Sequence, residues 1–121
     1  MSENTRWKDI YRHLKSNGFD VYAPDQKEGY CLEPYIVIKS REVVRLETVS
    51  SNEAMYDILL YVPKNRFSFV EEYVLQVIEA MDKLFPMIRE AGTQTEPFYD
   101  DDVQGYMVSI QYSNYRKRKR R

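Results

Sequence analysis

The sequence is poor in the residues that small catalytic and metal sites most often need. Its 121 residues include one cysteine, Cys31, and one histidine, His13. A single cysteine excludes an internal disulfide and fits a chain made in a reducing compartment. It also excludes the usual Cys/His zinc sites, because too few ligands are available. The four glycines, at positions 18, 29, 92 and 105, stand apart, so the chain has no glycine-rich phosphate loop.

Long apolar runs are also missing. No run approaches the ~20 residues that cross a bilayer, and the first residues, MSENTRWKD, lack the apolar stretch of a signal peptide. We therefore expect no membrane partner. Hydrophobic residues make up 43% and charged residues 31% of the chain, which is typical of a folded protein. The length predicts one domain.

Charge is distributed unevenly along the chain. The formal net charge is −1, but one segment of six residues is wholly basic. Without it, 12 basic side chains oppose 19 acidic ones, a net charge of −7. We predict one folded domain over 1–115 and a mobile basic tail over 116–121. The residues of this basic segment are Arg116, Lys117, Arg118, Lys119, Arg120 and Arg121.

Two segments have the periodicity of amphipathic helices. Residues 5–17 place Trp7, Ile10, Tyr11 and Leu14 on one stripe, with Asn4 as N-cap and Gly18 as the stop. The second helix is predicted to begin with a capping box, Ser68 to Glu71, and to end near Leu84, before Pro86. Its expected apolar stripe is Val70, Tyr73, Val74, Val77, Ile78, Met81, Leu84 and Phe85.

The remaining segments alternate as strands. Strands are predicted over 19–22, 35–39, 42–49, 54–62 and 106–113, with a turn at 50–52. A hairpin is expected around Gly92, between 87–91 and 93–99, followed by an acidic turn at 100–102. The order of these elements predicts an α+β fold, in which two helices pack on one face of a mostly antiparallel sheet of four to six strands.

Few residues are candidates for chemistry. His13 flanks an apolar stripe and has no partner at a recognisable spacing, so we interpret it as a boundary residue. Cys31 is interpreted as an incidental thiol. Asp100, Asp101 and Asp102 lack the spacing of a calcium loop and are interpreted as a solvated turn. We predict no enzyme activity, no cofactor and no metal.

The aromatic residues indicate a surface. Eleven tyrosines are many for this length, and several side chains alternate onto the sheet face that the helices leave free. Leu59, Tyr61 and Met107 lie on that face. They are either scattered surface residues, which are common, or part of a subunit interface, where Tyr and Met are enriched. We favour the interface.

The basic segment has three interpretations. It is a solubilising tail, a contact for an acidic protein surface that includes this protein's own acidic body, or a contact for nucleic-acid phosphates. The last predicts salt-dependent DNA binding with a log–log slope no steeper than about −5.

Three stretches resemble one family of small proteins from tailed bacteriophages and prophages. They are GFDVYAPDQKEGYCLEPYIVIK (18–39), AMYDILLYVPKNRFSFVEEYVLQVIEAM (54–81) and MVSIQYSNYRKRK (107–119). Together they are similar to the tail terminator family of tail-completion proteins. The shared features are structural, and none identifies a functional residue by type.

The resemblance implies a hexameric ring that caps the tail tube and joins it to the head, with tube protein and head–tail connector proteins as partners. It also implies assembly in the host bacterial cytoplasm and a place in the virion tail or neck. Two alternatives stay open. One is another head–tail connector or minor capsid component, and the other is a nucleic-acid-binding accessory module that uses the basic segment.

Overall fold

The fold is seen in a computed structural model of the chain. The backbone is described for residues 7–40, 44–45 and 51–117, and the side chains for 7–40, 55–91 and 94–114. The helices are α1 (Trp7–Ser16) and α2 (Val70–Asp82), and a 3₁₀ segment (Lys64–Phe69) precedes α2. The strands are β1 (Val21–Tyr22), β2 (Tyr35–Ser40), β3 (Val44–Arg45), β4 (Ser51–Pro63), β5 (Arg89–Gln94), β6 (Phe98–Asp100) and β7 (Gly105–Lys117).

All seven strands in the described residues belong to one sheet. Its order is β1-β2-β4-β7-β5; β3 pairs with the beginning of β4, and β6 pairs with β7. Every pairing is antiparallel except that of β1 with β2. The central pair runs from Ser51 opposite Lys117 to Pro63 opposite Gly105. The predicted α+β class, with a mostly antiparallel sheet and helices on one face, is confirmed, and the sheet has one strand more than the four to six expected.

The core lies between one sheet face and the two helices. Side chains alternate along a strand, so residues directly opposite each other on neighbouring strands share a face. Leu60 lies between Ile36 and Val108, and Ile58 between Ile38 and Ile110. The helices complete this core with buried side chains that follow a helical spacing: Ile10 and Leu14 of α1, and Val70, Tyr73, Val74, Val77, Ala80 and Met81 of α2.

Helix α1 packs as its apolar stripe predicts. Ile10 and Leu14 are fully buried, and the rings of Trp7 and Tyr11 stack with their centroids 5.1 Å apart. The Trp7 indole Nε1 donates a hydrogen bond of 2.8 Å to the carbonyl oxygen of Ile38 in β2. Gly18 follows the helix with φ of +93°, the left-handed conformation expected at a helix stop.

Helix α2 begins differently from the prediction. Phe69 is the N-cap, with helical φ and ψ of −88° and −9°, and no side chain caps the helix. The capping box at Ser68 is therefore wrong, because Ser68 lies within the 3₁₀ segment, where the backbone already turns. The helix ends at Asp82 rather than near Leu84. Phe85, expected on the core stripe, lies beyond that end and is 64% exposed.

Two predicted turns are strand instead. The turn at 50–52 is wrong at Ser51 and Asn52, which lie in β4 opposite Lys117 and Arg116. The hairpin around Gly92 is also wrong, since β5 runs through this glycine, and β5 and β6 each pair with β7. Strands β5 and β6 therefore both pair with the same edge of β7. Of the strand predicted over 42–49, the structure describes only β3. The rest of that strand and the predicted N-cap Asn4 lie outside the described residues.

Candidate functional site: the far face of the sheet

The sheet face opposite the helices, here called the far face, is built by residues of β2, β4, β7 and β6. Along β4 these are Met55, Asp57, Leu59 and Tyr61, all partly exposed. Both described helices lie on the other face, where their buried residues join the core. Neither described helix therefore covers the far face.

One row of large side chains crosses the far face at right angles to the strands. Tyr61 of β4 lies opposite Tyr35 of β2 on one side and Met107 of β7 on the other. Phe98 of β6 lies opposite Met107 and is 49% exposed. Four neighbouring strands thus each contribute one large apolar or aromatic side chain to the same row.

The next rows become polar along the sheet. In the second row, Val37 and Leu59 lie opposite each other, and Ser109 follows on β7. The third row is wholly polar and places Lys39, Asp57 and Gln111 side by side. The far face thus has an apolar part at the end of the sheet near Tyr61 and a polar row beside it.

The apolar row is closely packed at its β2 end. The rings of Tyr35 and Tyr61 stack with centroids 4.8 Å apart, and Tyr22 meets Tyr35 edge-on at 5.7 Å. The ammonium nitrogen of Lys27 lies 5.0 Å from the Tyr35 ring centroid, within range of a cation–π contact. Burial, followed by the nearby Asp100, raises the pKa of Tyr61. These phenols are therefore neutral near pH 7.

The loop between β1 and β2 closes this end of the far face. The backbone N–H of Cys31 donates a hydrogen bond of 2.6 Å to the carbonyl oxygen of Val103. Glycine is required at position 105, because a Cβ there would lie 2.9 Å from the Cβ of Cys31.

Burial raises the pKa of the Cys31 thiol to about 11, so the thiol is protonated at neutral pH. A protonated, buried thiol is a poor nucleophile.

The structure brings together the three residues predicted from the alternation. Tyr61 and Met107 lie directly opposite each other, and Leu59 is in the adjacent row. Sequence reasoning missed Phe98 and Val37. Val37 follows from the alternation of β2 once Tyr35 is assigned to the far face. Phe98 had no such signal, because its place depends on the pairing of β6 with β7.

The basic segment is described only in part. The backbone of Arg116 and Lys117 belongs to β7, opposite Asn52 and Ser51 of β4. Their side chains, and the whole of Arg118, Lys119, Arg120 and Arg121, lie outside the described residues.

The remaining candidates for chemistry lie apart from one another. His13 places its Nε2 2.7 Å from the carbonyl oxygen of Ala80, which joins α1 to α2. Asp100 accepts a hydrogen bond of 3.0 Å from the backbone N–H of Asp102 across the turn before β7. Within residues 7–40, 55–91 and 94–114, no three His, Cys, Asp or Glu side chains gather in a way that could hold a metal ion.

No protein-family model matches the chain, and no curated protein matches it. In the part of the chain that the structure describes, neither helix combines the length and the apolar character needed to span a membrane.

Proposed function

We propose that this chain is a structural subunit that assembles with copies of itself through the far face, and that it acts in tail completion of a tailed bacteriophage or prophage. The observation that carries the first part is the row of Tyr61, Met107 and Phe98, which is at least partly exposed on a sheet face that neither described helix covers; Tyr35, at the β2 end of the row, is itself buried. The second part rests on the resemblance of three stretches of the sequence to the tail terminator family.

The composition of the far face suits a subunit contact. Tyrosine, phenylalanine and methionine are enriched in the cores of interfaces, and aromatic anchors carry much of the binding energy. Phe98 is half exposed at the edge of the row, where burial by a second copy would remove its ring from water. The polar row of Lys39, Asp57 and Gln111 borders the apolar part, and it would restrict the orientation in which a partner docks.

A ring is the assembly that the resemblance implies. Copies joined by a heterologous contact form a closed ring when the rotation between neighbours divides a full turn. In the tail terminator family the ring is hexameric, and it lies between the tail tube and the head. By this proposal, the partners are tube protein and head–tail connector proteins, in the host cytoplasm during assembly and then in the tail or neck of the virion.

Sedimentation velocity tests the self-association. The wild type is expected to form a species heavier than the 14.5 kDa monomer, and six copies would weigh about 87 kDa. Leu59→Arg places a charge in the second row of the far face and should weaken association about tenfold or more, the equivalent of about 1.4 kcal/mol. Leu32→Arg is the matched control, because Leu32 is 76% exposed and lies in the loop between β1 and β2.

Two outcomes would contradict the assembly proposal. One is a wild type that stays monomeric at high concentration, alone and with tube protein. The other is equal association of the Leu59→Arg and Leu32→Arg variants, with both folded by circular dichroism. The place in the particle has a separate test: a tail terminator should stop the polymerisation of its tube protein at a limiting length, whereas another connector should leave tube growth unchanged.

A further inference from the structure

A second apolar surface lies on the helix side of the sheet. It is a groove of about 450 Å³ between α2 and the segment that joins β5 to β6. Its apolar lining includes Phe67, Val74, Leu75, Ile78, Pro97 and Val108. Leu75 is 61% exposed and Phe67 is exposed beside it, although both have large apolar side chains. The groove is therefore separate from the far face and lies on the opposite side of the sheet.

The single charged residue among the described lining residues of this groove is acidic. Glu71 lines it, and none of its described lining residues is basic. Helix α2 has four acidic residues and no lysine or arginine. Of these, Glu79 and Asp82 lie one turn beyond Leu75 and Ile78 on the same side of the helix. Glu96 lies in the sequence between Gln94 and Pro97, two residues that line the groove opposite α2. An apolar groove beside an acidic helix favours a basic ligand.

Arginine and lysine side chains match both properties of the groove. Their aliphatic stems can cover apolar surface while the charged ends stay in water, and a guanidinium can also stack on an aromatic ring such as that of Phe67. The chain itself has a segment of this chemistry in residues 116–121. We propose that the groove binds the basic segment 116–121 of a second copy of the chain.

The length of β7 separates the segment from the Val108 end of the groove of its own chain. Val108 of the groove lies nine residues before Lys117 on the same strand, a distance of up to about 30 Å. Residues 118–121 extend at most about 14 Å from Lys117. The backbone beyond β7 therefore cannot turn back to Val108, whereas the segment of a second copy is free of this constraint.

This contact uses a surface that the proposed function does not use. The far face and the groove lie on opposite sides of the sheet, so a copy could engage one neighbour through each. The contact depends on the proposed assembly only in that copies of the chain must meet. A binding assay with a peptide removes that dependence, because it measures the groove without requiring a stable oligomer.

The test is a titration of a labelled peptide of residues 114–121 followed by fluorescence anisotropy. The titrant is the full-length chain with Arg118, Lys119, Arg120 and Arg121 replaced by glutamine, so that the segments of other copies do not compete with the peptide. Saturable binding is expected, weakened about tenfold or more between about 50 mM and about 300 mM NaCl, because the contact is between exposed charges. Glu71→Lys and Leu75→Arg in this chain should each weaken binding about tenfold or more.

Matched controls decide whether the groove is the binding site. Glu28→Lys and Leu32→Arg make the same changes on exposed residues of the loop between β1 and β2 and should leave binding within about twofold of the parent chain. Leu59→Arg should do the same, which separates this contact from the far face. Wild type should bind the peptide more weakly than the neutralised chain, since the segments of other copies compete for the groove.

Three results would overturn the proposal. The first is no saturable binding of the peptide to the folded chain. The second is equal binding by the groove variants and their controls, which would place the segment elsewhere on the acidic body. The third is binding of wild type to duplex DNA that is lost in the neutralised chain, together with no peptide binding, which would assign the segment to nucleic acid.

Discussion

Tyr56 of β4 and Tyr112 of β7 lie directly opposite each other in the core, and each is only 1% exposed. The Tyr112 hydroxyl has no hydrogen-bond partner among the described residues. Burial, followed by the nearby carboxylates of Glu90 and Asp82, raises the pKa of Tyr112 far above its usual value. The ring contributes to the core, whereas its hydroxyl has lost contact with water.

We expect removal of this hydroxyl to leave stability intact or to increase it. Tyr112→Phe should keep the free energy of unfolding unchanged or raise it by up to about 2 kcal/mol, because an unpaired buried hydroxyl opposes folding. Urea denaturation provides the measurement. Tyr112→Leu is the control, because it removes ring volume as well and should cost about 2 kcal/mol. A loss above about 1 kcal/mol in Tyr112→Phe would show that the hydroxyl has a stabilising partner.

The contact between Gly105 and Cys31 predicts a coupled pair. Gly105→Ala should lower the free energy of unfolding by about 1–3 kcal/mol, because the new Cβ would lie 2.9 Å from the Cβ of Cys31 and from the carbonyl oxygen of Val62. Cys31→Gly removes the first of these contacts. A double-mutant cycle should therefore give a combined loss at least about 0.5 kcal/mol smaller than the sum of the single losses. Additive losses would mean that the two positions do not interact.

Stability is expected to decline at alkaline pH. Burial raises the pKa of the Cys31 thiol from 9.0 to about 11, and it also raises the pKa values of Tyr35, Tyr73 and Tyr112 above 10.0. Each group has a higher pKa in the folded state, so the fold favours its protonated form. The stability gained is complete below the unfolded pKa and is lost as pH rises through the folded value.

The corresponding measurement is urea denaturation at several pH values. From pH 7 to about 8.5 these groups should leave the free energy of unfolding unchanged, and above about pH 9 it should fall. Cys31→Ala should show a smaller decline between about pH 9 and about pH 11, because the thiol no longer titrates there. An unchanged decline in this variant would assign the alkaline effect to the tyrosines alone.

The hydrogen bond between Trp7 and Ile38 predicts a moderate loss of stability. Trp7→Phe keeps an aromatic ring beside Tyr11 but removes the indole donor, so the Ile38 carbonyl loses this partner. The free energy of unfolding should fall by about 1 kcal/mol. Tyr11→Phe retains the stacked ring and should change stability by less than about 0.5 kcal/mol. Equal effects of the two variants would show that the indole hydrogen bond contributes nothing.

The alternation in the sequence predicts much of the far face. Tyr56, Ile58, Leu60 and Val62 are buried against the helices, and the intervening residues of β4 lie on the other side, as expected. The same pattern in β7 places Met107 beside Tyr61 once the register is known. This part is predictable because neighbouring side chains of a strand point to opposite faces.

Contacts between distant segments determined the features of the fold that the alternation of side chains does not predict. The prediction of a hairpin around Gly92 missed Phe98, because the edge of β7 was the partner of both β5 and β6. The capping pattern at Ser68 was overridden by the 3₁₀ segment that leads into α2. The groove beside Leu75 arises only where α2 and the β5–β6 connection come together.

The sequence by itself determined the α+β class, the inward faces of its helices and of its long strands, and the separation of an acidic body from a basic segment. These follow from local periodicity and composition, which each segment carries independently of the others. Tertiary structure alone decided which strands are neighbours and in what register. It thereby aligned Tyr35, Tyr61, Met107 and Phe98 in one row, because pairing between remote strands depends on packing across the whole sheet.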